Sequence, residues 1–241
     1  MLACASIRGW PAVTMSTTRI RRNVRTVALS APRVCRRNKM DFHAKQSPAS
    51  EHGATTTASG EARRRARART LWRYVGEERP PFAAAPGPGQ RSVWDFPRPP
   101  RVEPVMREVT VRLGSVLIAR TRNPLLVCET ASPPTWYLPE VDVQMKLLQP
   151  AAGASHCEWK GEARYASIVD SGARLDAAAF LYPSPLPGYE GLRGRIAFYP
   201  QQLDCRVDGL RVVPQPGRYY AGWITPELVG PFKGERGSEG W

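Results

Sequence analysis

Prolines and glycines interrupt this chain so often after Ser92 that no long helix fits between them. The chain has 24 prolines and 20 glycines. Pro97, Pro99, Pro100, Pro133, Pro134, Pro139, Pro183, Pro185, Pro187 and Pro200 fall in this part, as do Gly114, Gly161 and Gly172. Proline fixes φ, has no backbone donor and pushes the residue before it towards extended backbone, so each one ends a helix or marks a turn. The short runs that survive alternate in polarity. Val109, Val111 and Leu113 share one side of a strand, and Thr110 and Arg112 the other. Gly114-Ser115 turns the chain and Val116 to Ala119 brings it back.

Leu125 to Val127, Thr135 to Leu138 and Gly194 to Tyr199 read as further strands, and Tyr165, Ser167 and Val169 share one strand face. Leu203 to Val207 and Arg211 to Val213, joined through Asp208-Gly209, carry the strongest hairpin signal. Glu140 to Leu148 fits helix or strand equally. PAAGAS (150–155) reads as a loop, and the alanine-rich stretch 173–182 allows helix only as far as Tyr182. The expected fold is mainly β: a small compact domain of seven or eight short strands with short helices.

Charge separates the chain into two parts. Residues 1–80 hold 17 Lys and Arg against 5 Asp and Glu, whereas residues 81–241 hold 18 against 16. Nearly all of the formal +14 therefore belongs to the first third. Residues 1–40 carry nine basic side chains and no acidic one, with many Ala, Ser, Thr and Val, the composition of an organellar transit peptide. A chloroplast or mitochondrion is the expected location, the cytoplasm otherwise, and Met15 is an alternative start. Arg63 to Leu71 suits a short basic helix. Residues 1–80 as a whole have too little apolar surface to repay ordering, so a disordered basic region and linker are expected there. Order is expected from Ser92, and the domain from residue 90 to 241.

The net of +2 over residues 81–241 argues against a nucleic-acid partner. No run of eighteen apolar residues occurs, so no helix is expected to span a membrane. Cys4, Cys35, Cys128, Cys157 and Cys205 are widely spaced with no CxxC, which points to thiols and to no bound metal or cofactor.

Chemistry-bearing side chains concentrate between Cys128 and Tyr165. We expect Tyr137, Trp159, Tyr165, Tyr182 and Tyr199 to line a concave face on which Glu129, His156, Lys160 and Asp142 supply the polar contacts to a small polar ligand. His156 is the only histidine of the domain. Two other readings compete. Trp94, Trp223 and Trp241, with Arg98, Phe232 and Lys233, would present a surface to a protein partner. Alternatively Asp142 and Glu129 would hold a divalent cation beside a Lys160-Gly161 turn, as nucleotidyl transfer requires. Neither GxGxxG nor GxxxxGK[ST] is present, and whether the domain is an enzyme stays open.

The segments SVWDFPRPPRVEP, LLVCETASPPTWYLPEVDV, HCEWKGEARY, YPSPLP, RIAFYP and AGWITPELVGPFKG occur in this order. With them the chain from about Ser92 to Trp241 resembles the DUF427 family, domains of unknown function that have also been labelled nucleotidyltransferase-like. The family pattern falls on Glu129, Pro134, Tyr137, Pro139, Asp142, Val143, His156, Cys157, Lys160, Gly161, Tyr165, Tyr182, Pro183, Pro185, Phe198 and Tyr199. The resemblance implies a compact β-tent-like domain, similar to zinc-binding methionine-sulfoxide-reductase-like and cereblon-like domains but without a need for their zinc. Two positions depart from the pattern: Ala166 stands where an aromatic is usual, and Phe180 where Trp is common. The carboxy-terminal extension is similar to that of plant, algal and bacterial members.

Overall fold

A computed structural model of the protein describes residues 58–238 and 240–241. The leader of residues 1–40, the alternative start at Met15 and the targeting signal lie outside the described residues. In chain order the elements are α1 (Ala58–Leu71), β1 (Arg91–Ser92), β2 (Arg101–Pro104), β3 (Val109–Leu113), β4 (Val116–Thr121), β5 (Leu125–Cys128), β6 (Thr135–Pro139) and β7 (Leu148–Cys157). They continue with β8 (Gly161–Asp170), β9 (Ala173–Leu181), β10 (Arg195–Phe198), β11 (Asp204–Val207), β12 (Leu210–Arg211), β13 (Val213–Pro214), β14 (Trp223–Ile224) and β15 (Leu228–Val229). The fold is mainly β, as the proline and glycine spacing requires.

Seven strands form one sheet in the order β2-β5-β6-β10-β9-β8-β7, and four form a second, β12-β11-β3-β4. Every pairing within these two sheets is antiparallel. The Asp208-Gly209 turn joins β11 to β12 with φ of 48° and 80° at its two residues, the left-handed geometry that matches strand twist.

Alternation along the strands divides the apolar residues between two clusters. On β6, Trp136 and Leu138 enter the main core while Tyr137 enters the second; on β10, Ile196 and Phe198 go to the first and Ala197 to the second. The main core also takes Val109 and Val111 of β3 and Cys205 and Val207 of β11, so it lies between the two sheets. The second cluster, with Val127, Tyr137, Phe180 and Tyr182, covers the other face of the larger sheet. A sheet apolar on both faces needs cover on both.

Several stretches depart from the expectation. PAAGAS lies inside β7, a ten-residue strand. β7 is an edge strand, where a proline without N–H removes no ladder bond, and a register shift between Pro150 and Ala154 accommodates Gly153. The alanine-rich segment is β9 rather than a helix. It pairs with β8 on one side and β10 on the other, and those bonds override a weak helical preference. Glu140 to Leu148 resolves into two 3₁₀ turns, Glu140–Asp142 and Met145–Leu147.

Order also begins before Ser92. The arginine run forms α1, whose Ala68 is fully buried. Tyr74 then packs edge-on against Trp94 at 5.3 Å and against Phe82 at 6.0 Å, and Phe82 stacks on Trp241 at 5.2 Å. A few large rings supply the apolar contact that composition averaged over residues 1–80 conceals. The expected surface of Trp94, Trp223 and Trp241 does not form. Trp94 and Trp223 are fully buried, and their indole N–H groups donate to the carbonyl oxygens of Pro231 and Phe198.

Candidate functional site

Register across the larger sheet builds an aromatic wall. Tyr137 of β6 pairs with Ala197 of β10, Ala197 with Phe180 of β9, and Phe180 with Tyr165 of β8. The alanine leaves a hollow between larger neighbours, and the rings of Tyr137 and Phe180 meet edge to face across it at 6.0 Å. Tyr182 and Tyr199 flank Phe180 at 6.2 and 5.4 Å. Above this wall is a cleft of about 250 Å³.

The β7–β8 hairpin brings a cation into it. Cys157 pairs with Gly161 across the turn Glu158-Trp159-Lys160. Gly161 has φ of 97°, and a side chain there would meet Leu186 at 3.2 Å, so glycine is required for the turn and for the close approach of the 184–187 loop. The Leu186 N–H donates to the Lys160 carbonyl and pins the turn. Lys160 is only 8 % exposed, its Nζ lying 5.9 Å from the centre of the Tyr182 ring. Burial opposes its charge, but its interactions with Cys157, Tyr182, Tyr137 and Glu129 outweigh this and hold the amine well above its ordinary range. Burial itself raises the Tyr137 and Tyr182 phenols far above their ordinary 10.0. Near neutral pH these phenols keep their protons and can donate hydrogen bonds.

Glu129, the first residue after β5, is committed elsewhere. Its Oε1 accepts from Nε of Arg98 at 3.1 Å, and Arg98 also donates to the carbonyl oxygens of Tyr74 and Thr130. The Arg98 guanidinium and the Lys233 ammonium each lie 4.2 Å from the Trp72 ring, a cation–π arrangement that ties the segment after α1 to the domain. Burial, and then the charge of Arg98, lower the Lys233 amine to about 8.

The cleft brings together Glu129, Tyr137, His156, Lys160, Tyr165, Tyr182 and Tyr199. His156 stands exposed at the rim, opposite Glu162. Two expected residues are elsewhere. Asp142 sits in a 3₁₀ turn and accepts from the Thr121 hydroxyl at 2.6 Å, so it cannot join Glu129 around one cation. Trp159 is buried in the turn beneath the cleft, its indole N–H without a partner, because the tight hairpin points it into the second cluster.

Trp72, Gln215, Tyr219 and Lys233 also line the cleft and were not expected there. Trp72 lies far from the motif-bearing segments and no local pattern marks it, whereas Lys233 belongs to AGWITPELVGPFKG and was expected on an interaction surface. Among the described residues no three His, Cys, Asp or Glu side chains are grouped to hold a metal. A larger cavity, about 460 Å³, lies between α1 and the domain. Its arginines are already engaged: Arg69 with Glu77, Arg98 with Glu129, Arg101 with Glu103 and Arg64 with the Pro187 carbonyl. The smaller cleft is therefore the better candidate.

Buried thiols and phenols make stability fall in alkali. Burial raises the Cys128 thiol from 9.0 to about 12 and drives Cys205, Tyr189 and Tyr199 up as well. Above pH 9 to 10 the unfolded chain releases these protons while the folded chain keeps them, so unfolding is favoured as pH rises. Lys233 acts in the opposite sense between about 8 and 10.5, but it is one group against several. We expect the thermal midpoint to drop between about pH 9 and 11. A midpoint constant over that range would contradict the burial of these groups.

No curated protein matches the chain. The model of one family, described as a domain of unknown function (DUF427), matches residues 101–209, the span from β2 to the β11–β12 turn. The chain contains a DUF427 domain.

Proposed function

We propose that the cleft over the Tyr137–Phe180 wall binds a small polar molecule. The observation that carries this reading is the Lys160 ammonium, buried against aromatic rings and lining the cleft. An ammonium buried without a hydrogen-bond or ion-pair partner costs far more than a neutral donor such as the Trp159 indole N–H, and a core built only for packing gains nothing from one. Apolar walls with a few convergent polar groups are the usual make-up of a small-molecule site. About 250 Å³ suits a ligand of one ring or one short chain.

The full chain is to be screened by thermal shift against nucleotides, sugars and organic acids, alongside Thr135→Trp. Thr135 lies on β6 two residues from Tyr137 and lines the cleft, so a large side chain there fills it. At least one class is expected to raise the wild-type midpoint and to leave that of Thr135→Trp unmoved. A wild type that responds to nothing, or a variant that responds equally, would remove the reading.

A further inference from the structure

We infer that the ligand of this cleft is a small organic monocarboxylate. Its carboxylate is received by the Lys160 ammonium and the hydroxyls of Tyr137 and Tyr182, and its flat body lies against Phe180 and Tyr199. The inference rests on the cleft being a ligand site.

Three features select an anion. First, these three side chains are all more than nine-tenths buried: Lys160 is 8 % exposed, Tyr137 1 % and Tyr182 5 %. Second, all three offer donors. Among the described residues none of the three side-chain groups makes a hydrogen bond or ion pair, and their neighbours are each other, the Phe180 ring, Cys157 and Glu129. Third, the one carboxylate among Lys160's electrostatic partners, Glu129, is bound by Arg98 at 3.1 Å. A donor-rich floor lacking a committed acceptor is complementary to an oxyanion, since charge-assisted hydrogen bonds are the strong ones in a dry site.

The number of charges selects a carboxylate over a phosphate. A phosphate dianion is usually met by an arginine fork, a helix N-terminus or a nest of backbone N–H groups. None of these lines the cleft. Of its two amines, Lys233 donates to the Trp241 carbonyl oxygen at 2.7 Å, which leaves Lys160. Glu129 and Glu158 line the same cleft and repel a second negative charge. Rings 5.4 Å apart at Phe180 and Tyr199 then favour a planar apolar body.

The test titrates the full chain with benzoate, its neutral isostere benzamide and phenylphosphate, by calorimetry or ligand-observed NMR. Benzoate is expected to bind at least tenfold more tightly than either of the others. Lys160→Met should abolish the preference for benzoate over benzamide, because the one cation free to meet the carboxylate is gone. Tyr182→Phe keeps the ring and loses one donor, and should weaken benzoate several-fold while leaving benzamide unchanged. Equal binding of benzoate and benzamide would overturn the carboxylate and leave the cleft as a ligand site. Tighter binding of phenylphosphate would overturn it in favour of a phosphate. No binding of any probe, or a preference for benzoate that Lys160→Met retains, would overturn it. The wider compound screen then decides separately whether the cleft binds anything.

Discussion

Arg98→Met is expected to destabilise the protein by about 3–5 kcal/mol, the range found when one partner of a buried ion pair is removed. The Arg98 side chain is fully buried and joins four things at once. It donates to Glu129 Oε1 and to the carbonyl oxygens of Tyr74 and Thr130, and it stacks on Trp72. Methionine fills much of the same volume and keeps an apolar contact with the indole, so cavity formation is a minor part of the loss. What remains is two buried carbonyl groups without a donor and a carboxylate without its cation, each of which costs more than the bond itself was worth. Glu129 is 26 % exposed and can reach water, so Glu129→Gln should cost less, about 1–2 kcal/mol. For a chain of this size the methionine variant should melt roughly 6–20 °C lower. Equal losses for the two variants would show that the carbonyl bonds carry no weight. Because Arg98 also orders Trp72, a wall of the cleft, this variant should lose ligand response along with stability.

How far the site was legible follows from the reach of each signal. Alternation within one strand is local, and it places Tyr137 and Tyr165 on a common type of face without any knowledge of their neighbours. The row Tyr137–Ala197–Phe180–Tyr165 is not local. It needs the register of four strands drawn from residues 135 to 198, and Ala197 matters there for its smallness, which composition does not flag. Lys160 and Gly161 are adjacent to His156 and Cys157 in sequence, so their convergence was readable, yet the same adjacency misled for Trp159, which the turn directs inward. Asp142 shows the limit from the other side. Its carboxylate serves a local 3₁₀ turn and Thr121, a use that residue type and spacing do not distinguish from a ligand's. Trp72 meets Arg98 and Lys233 at the cleft, each cation 4.2 Å from its ring, a contact between three separate stretches of chain that no local pattern signals.

Trp223→Ala should be the most damaging single change beyond the span matched by the family, at about 3–5 kcal/mol. Trp223 follows residue 209, where the match ends, and the extension that holds it could be taken for an appendage. Its burial says otherwise. The indole is fully buried, stacks on Trp136 at 5.9 Å and donates from Nε1 to the Phe198 carbonyl at 3.1 Å, while its backbone N–H donates to Pro134. Val212, Ala221 and Leu228 are buried in the same stretch, and the Pro231 carbonyl accepts from Trp94. The segment also crosses the strand after the PP turn at Gly222, where an added side chain would lie 2.7 Å from the Pro133 carbonyl and 2.1 Å from Gln215 Oε1. Trp223→Phe keeps a ring against Trp136 but leaves the Phe198 carbonyl unpaired, so it should cost about 1–3 kcal/mol. A chain ended at residue 209 lacks all of these contacts and should show no cooperative unfolding transition by circular dichroism or calorimetry. If the chain ended at residue 209 unfolds cooperatively without the extension, then the main core closes without Trp223, and the alanine variant should prove nearly neutral as well.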